Sequence, residues 1–196
     1  REGYAYIVDK GKSSPYYGQA LTGVIKADYL KLKAANSTDT KAYEKLTKRI
    51  DEAYTEVNTN DLTRLTLIKA DILTYQLDKT EEAVALLTRT IENVGGKQDK
   101  AEVKLKLADI YLYEDEVWEA TLLYSQVDKS LKEEPLGHEA RYKKHLIHVF
   151  SSFQVAFLGT VLLFPSPCFH ANHGDGWANH GDGPFVSFCF RPIECL

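Results

Sequence analysis

The sequence predicts an all-α fold: antiparallel helical hairpins stacked as a solenoid of about three units, followed by an aberrant or disordered C-terminal tail. Three observations carry this expectation. A short segment recurs three times, each copy is followed by a second amphipathic stretch, and turn signals separate the stretches.

The recurring segment is Ile25-Lys26-Ala27-Asp28-Tyr29-Leu30, then Ile68-Lys69-Ala70-Asp71-Ile72-Leu73, then Leu105-Lys106-Leu107-Ala108-Asp109-Ile110-Tyr111. The Ala-Asp pair aligns all three. Ala27 and Ala70 lie 43 residues apart, and Ala70 and Ala108 lie 38 apart, which suits two-helix repeats with turns of unequal length.

Helical periodicity marks the second stretches. Tyr43, Leu46, Ile50, Ala53, Tyr54 and Val57 recur at steps of three and four, as do Ala83, Leu87 and Ile91. In the third unit the apolar set is Trp118, Leu122 and Val127, with Ala120 and Tyr124 between them. Steps of three or four place side chains on one helix face, which predicts that each set turns inward. Asn36-Ser37-Thr38-Asp39, Asn58-Thr59-Asn60-Asp61, Gly95-Gly96 and Glu133-Glu134-Pro135-Leu136-Gly137 supply the stops and caps between stretches. Short connections of this kind make neighbouring helices antiparallel.

These residues resemble the tetratricopeptide repeat family. In the unit from Glu102 to Leu131, Leu107, Ala108, Tyr111, Ala120, Tyr124 and Val127 stand where that family carries large, small, aromatic, small, aromatic and small apolar residues. Pro135 follows slightly late, consistent with a last helix one turn longer than usual. The unit from Leu62 to Ile91 has one extra residue in its turn, and the unit from Tyr17 to Val57 is longer still. The resemblance implies a non-catalytic scaffold that takes a protein or peptide partner in a concave groove lined by the first helix of each pair. No cofactor is implied.

On this alignment Asp28, Asp71 and Asp109 share one position and form a column along the groove. Val24, Leu67 and Leu105 form an apolar row beside it, and Leu21, Arg64 and Glu102 are equivalent about two turns earlier. The expected partner places apolar anchors on the row and a basic residue near the Asp column.

Composition divides the chain. Its 196 residues are 44% hydrophobic and 27% charged, an ordinary profile able to bury a core. The small net charge of −4 gives no reason to expect nucleic acid as a partner, since its binders usually show a clustered basic surface. All twelve Tyr precede residue 145, whereas all eight Phe and all three Cys follow it. Past that point only Asp175, Asp182, Arg191 and Glu194 carry formal charge. The expected domains are therefore the end of an upstream helix and linker at 1–14, helical repeats at 15–144, and a hydrophobic, then Gly/His-rich tail at 145–196. The chain has no Met and opens at Arg1 in what reads as a helix, so it is expected to be a fragment of a longer protein. It names no compartment.

Three readings of the tail compete: an out-of-frame or non-native sequence, a membrane anchor, and a buried or partner-covered helix with a disordered end. Leu136 to Lys144 begins the first helix of another repeat, which His145 then interrupts. Leu146–Phe164 is a run of 19 uncharged residues, long enough to cross a bilayer and to tether a membrane-bound assembly factor. Only if that run is genuine does a membrane become a partner. His170, His173 and His180, with Asp175 and Asp182, form the one metal-like grouping. A tandem duplication of Ala-Asn-His-Gly-Asp-Gly explains it as economically, so no metal site is assigned.

Catalytic motifs fail. Gly11-Lys12-Ser13-Ser14 matches the end of a phosphate loop, but Tyr6 stands where that loop needs its first Gly. There is no Gly-x-Ser-x-Gly elbow, and residues 1–144 hold His138 and no Cys. No enzymatic activity is expected.

Overall fold

The computed structural model describes residues 1–163, with side chains described for residues 1–149. The chain divides into two compact units, Arg1–Lys144 and His145–Leu196. Among the described residues there are eight helices and no strand. They are α1 (Glu2–Asp9), α2 (Tyr17–Ala34), α3 (Thr40–Ala53), α4 (Thr59–Tyr75), α5 (Thr80–Asn93), α6 (Lys97–Tyr113), α7 (Val117–Ser130) and α8 (Pro135–Leu163), whose opening segment through Lys144 belongs to the first unit. The fold is all-α.

Local chemistry sets the helix ends. The Asp39 carboxylate accepts hydrogen bonds from the Lys41 and Ala42 amides and opens α3, and Asn58 Oδ1 accepts from the Asp61 amide at 2.9 Å to open α4. Such caps satisfy amides that have no carbonyl partner within the helix.

The turns inside the three hairpins share one device. Asn36, Asp78 and Asp115 each adopt positive φ, of 45°, 54° and 64°, at the α2–α3, α4–α5 and α6–α7 turns. Asn and Asp enter this left-handed region more readily than other side chains. After Asn36 and Asp115 the next amide reaches back to a carbonyl of the preceding helix, Ser37 to Leu32 at 3.1 Å and Glu116 to Tyr111 at 2.8 Å. That closes the helix end as a glycine-terminated helix would.

Packing follows sequence order. Helices α2/α3, α4/α5 and α6/α7 pair as hairpins, α3 packs on α4 and α5 on α6, and the first helices touch one another in the order α2, α4, α6. One core joins Leu21, Ile25 and Tyr29 of α2 to Leu46 and Ile50 of α3 and to Leu65, Ile68 and Ile72 of α4. A second joins Ala70 and Leu73 of α4 to Ala83 and Leu87 of α5 and Val103, Leu107 and Ile110 of α6. Helix α4 thus buries two faces, one against each neighbouring hairpin. Each fully buried aliphatic side chain contributes about 1.5–3 kcal/mol.

The second helices bury one repeating triplet: Leu46, Ile50 and Ala53; Ala83, Leu87 and Thr90; Ala120, Tyr124 and Val127. This corrects the expectation for the third unit. Trp118 and Leu122 do not turn inward with Val127; they are 83% and 61% exposed. A helix face wide enough for Ala120, Tyr124 and Val127 has no room for residues two positions away, which lie about 200° round the axis. Ile91 is half-buried.

Glycine allows close approach at two places. The Tyr4 ring of α1 lies on Gly23 of α2, where a Cβ would come within 2.9 Å of it. At the start of α8, a Cβ on Gly137 would meet the Leu131 carbonyl oxygen at 1.9 Å.

Candidate protein-interaction face

The contiguous first helices α2, α4 and α6 carry the column that the alignment places in a groove, and each carboxylate in it already has a cation. Asp28 pairs with Arg49 of α3 at 2.9 Å and with Arg1. Asp71 pairs with Lys106 of α6 at 2.8 Å and accepts a hydrogen bond from the Tyr29 hydroxyl at 3.4 Å. Asp109 receives Lys143 Nζ at 2.8 Å on both oxygens and the Tyr124 hydroxyl at 2.5 Å. The side chains of Asp28 and Asp71 are 19% exposed and that of Asp109 27%.

Two of these pairs follow one rule. Lys106 comes 35 residues after Asp71 and Lys143 comes 34 after Asp109, so a first helix hands its carboxylate to a lysine on the next first helix. The first junction has no such lysine, because Ile68 stands three residues before Asp71 as Lys106 stands three before Asp109. Ile68 is buried in the core there.

The partial burial perturbs the titrating groups. Burial raises the Tyr124 hydroxyl pKa, and the neighbouring Asp109 carboxylate raises it further; burial and Asp71 act alike on Tyr29. Burial works against the Lys143 ammonium, yet Asp109 and Glu139 outweigh it and hold its pKa above the ordinary value. The Tyr29 and Tyr124 hydroxyls and the Lys143 ammonium therefore keep their protons at neutral pH.

The apolar row does not line a surface. Val24 and Leu105 are buried, and Leu67 is half-buried against the second core. Of the three residues two turns earlier, Leu21 is buried, Arg64 is exposed in an ion pair with Asp61 at 3.4 Å, and Glu102 is exposed. Leu107, Ala108, Ala120, Tyr124 and Val127 are buried and Tyr111 is half-buried, so the residues carrying the family resemblance all pack inward.

What the first helices do offer is an aromatic pair. Tyr75 ends α4 and Tyr113 ends α6, four residues after Asp71 and Asp109 respectively. Their rings meet edge to face with centroids 5.0 Å apart. Tyr75 is 36% and Tyr113 46% exposed. The four-residue spacing sets each ring one turn along its helix from the Asp, and burial, with Asp71 and Asp109, raises the Tyr75 hydroxyl pKa. The sequence signal was present, as Tyr at one repeat position, but Leu32 interrupts it in the first unit.

Lys12, Ser14, Tyr17 and Glu56 line an open polar recess of about 390 Å³, in which Lys12 pairs with Glu56 at 2.7 Å. No grouping of His, Cys, Asp or Glu among the described residues could hold a metal ion. His170, His173 and His180 lie outside the described residues. The uncharged run 146–164 extends past them, and its side chains are described only as far as Val149. No helix of the described residues is long and apolar enough to cross a membrane.

No family model matches the chain, and neither a curated protein nor a solved structure matches it.

Proposed function

We propose that the chain is a non-catalytic scaffold of the tetratricopeptide type, which binds a protein or peptide partner along the face made by its first helices. The partly exposed Tyr75–Tyr113 pair, one turn along adjoining first helices from Asp71 and Asp109, carries this reading. Tyrosine supplies rigid contact area with a polar tip, and few side chains give a partner more to bind. The paired carboxylates alter the expected recognition. A basic residue of the partner meets Asp71 or Asp109 only by sharing it with Lys106 or Lys143. The aromatic edge therefore anchors, and the ion pairs orient.

The test is photo-crosslinking in cells from a reactive residue placed at Tyr75 or Tyr113, compared with one at Lys48 on the outer side of α3. A discrete adduct confined to the first two positions supports the proposal. Equal labelling from all three, or labelling from Lys48 alone, overturns it. Asp71→Asn with Asp109→Asn is then expected to weaken the captured partner in a salt-sensitive manner.

A second reading takes the run 146–164, 19 residues without formal charge that extend beyond the described residues, as a membrane tether for the same scaffold. Detergent-dependent extraction of the whole chain, set against free recovery of a chain ending at Lys144, distinguishes the two.

A further inference from the structure

Helix α7 breaks the pattern of the second helices on its outer side. Two positions before the buried Leu46, Ala83 and Ala120 stand Glu44, Glu81 and Trp118; two positions after them stand Lys48, Ala85 and Leu122. The first two hairpins thus show water charged or small side chains, whereas the third shows it an indole and an isobutyl group one turn apart. Trp118 is the most exposed large apolar side chain among the described residues. Neither residue belongs to the core clusters.

The Trp118 end of this apolar pair is acidic, whereas one turn beyond Leu122 the Lys104 ammonium reaches Gln126 at 2.7 Å. Glu114, Asp115, Glu116 and Glu119 flank Trp118, all exposed. The Thr80 hydroxyl donates to Glu114 at 2.8 Å, which brings the α4–α5 turn alongside with exposed Asp78, Glu81 and Glu82. Lys79 is the one cation of the two turns, and Glu82 holds it at 3.5 Å. An apolar anchor flanked on its Trp118 side by carboxylates disfavours anionic lipid and nucleic acid and favours a partner of the opposite charge.

We infer that Trp118 and Leu122 form a second docking surface, whose occupant is a basic amphipathic helix of a partner protein. Its apolar side chains cover the Trp118 indole and Leu122, and its Lys or Arg residues meet Glu116, Glu119 and the acidic turn beside them. Arg or Lys over the indole face adds a cation–π contact. The surface lies on a second helix, so it goes beyond the face proposed above and stands or falls without it.

The experiment uses the full chain carrying Trp177→Phe, which leaves Trp118 as the single Trp of the two. The probe is a labelled amphipathic Leu/Lys peptide of about 18 residues, with a Leu/Glu peptide of the same pattern as control. Saturable binding with a blue shift of Trp118 emission is expected for the Leu/Lys peptide only. Leu122→Ala, and separately Trp118→Ala read by peptide anisotropy, should each weaken it about tenfold or more. Glu116→Lys with Glu119→Lys should weaken it and flatten its salt dependence. Both apolar side chains face water, so their removal leaves the core intact. Binding without a shift in Trp118 emission, equal binding of the Leu/Glu peptide, or affinity within about twofold after Trp118→Ala overturns the inference.

Discussion

Tyr124→Phe deletes one oxygen from the core and tests whether the Asp109 network stabilises the third hairpin. The ring is fully buried, and its hydroxyl lies 2.5 Å from Asp109 Oδ1. A hydrogen bond to a charged acceptor contributes about 1.5–3 kcal/mol. Asp109 is 27% exposed and keeps Lys143 at 2.8 Å, so water and the ammonium take over part of the loss. The expected cost is therefore at the lower end, about 1.5 kcal/mol. The assay is urea unfolding of the full chain followed by far-ultraviolet circular dichroism, with the slope expected to stay constant because the exposed area is unchanged. Tyr142→Phe is the control, since Tyr142 is 65% exposed and should shift stability by less than about 0.5 kcal/mol. If Tyr124→Phe costs no more than Tyr142→Phe, the hydroxyl contributes nothing and the reasoning fails. Lys143→Met extends the test: two donors that share one carboxylate should couple by about 0.5 kcal/mol or more in a double-mutant cycle.

Gly137→Ala would place a Cβ 1.9 Å from the Leu131 carbonyl oxygen and 2.6 Å from its carbon, both backbone atoms. Displacing that turn should cost toward the upper end of about 1–3 kcal/mol, more than the roughly 1 kcal/mol that Ala offers in a helix; a raised melting temperature would contradict the geometry. Asp128 gives a pH dependence. Lys144 foremost, then Arg141, lowers its carboxyl pKa below the ordinary 3.8, against the opposing effect of burial. A carboxyl depressed in the folded state stabilises the fold above its unfolded pKa and stops doing so as pH falls through the folded one. The stability gap between the wild-type chain and Asp128→Asn should therefore be widest at neutral pH and close in acid. A gap of constant size down to about pH 2 would exclude this role.

The helices were legible because they rest on local signals. The Ala-Asp segments fell in α2, α4 and α6, Asp39 and Asn58 capped the helices they precede, and Gly96 lies immediately before α6. Face assignment failed on α7, where two interleaved apolar sets share one helix. Periodicity alone does not separate Trp118 and Leu122 from Ala120, Tyr124 and Val127, and the larger side chains drew the wrong face inward. Size misleads here because close helix packing selects small residues such as Ala120. The cations on Asp71 and Asp109 lie more than thirty residues downstream, beyond any local window, yet their near-equal spacing was available to a search between repeats. The apolar row failed for a different reason. Alignment identifies equivalent positions, but it does not say how closely neighbouring first helices approach, and that approach buries Val24 and Leu105.

The junctions between successive first helices are held by different forces, and salt should distinguish them. Ile68 joins α2, α3 and α4 through an apolar core that ionic strength barely touches. The opening segment of α8 instead docks through Lys143 on Asp109, Lys144 on Asp128 at 2.7 Å and Arg141 on Asp128 at 3.0 Å. In that segment Gly137 and Ala140 are the buried residues up to Lys144. The screening length falls from about 10 Å at 0.1 M salt to about 3 Å at 1 M. Partly exposed pairs of this kind contribute up to about 1 kcal/mol each, so three of them weakened together amount to about tenfold in local opening. Amide exchange of residues 141–144 should thus accelerate about tenfold in 1 M salt, while the amides of Leu65, Ile68 and Ile72 stay protected. If both sets respond alike, the α8 segment is held by packing after all. If only the first responds, any ligand that competes for Asp109 would also loosen the opening segment of α8, and the proposed binding on the first-helix face would be coupled to the docking of that segment.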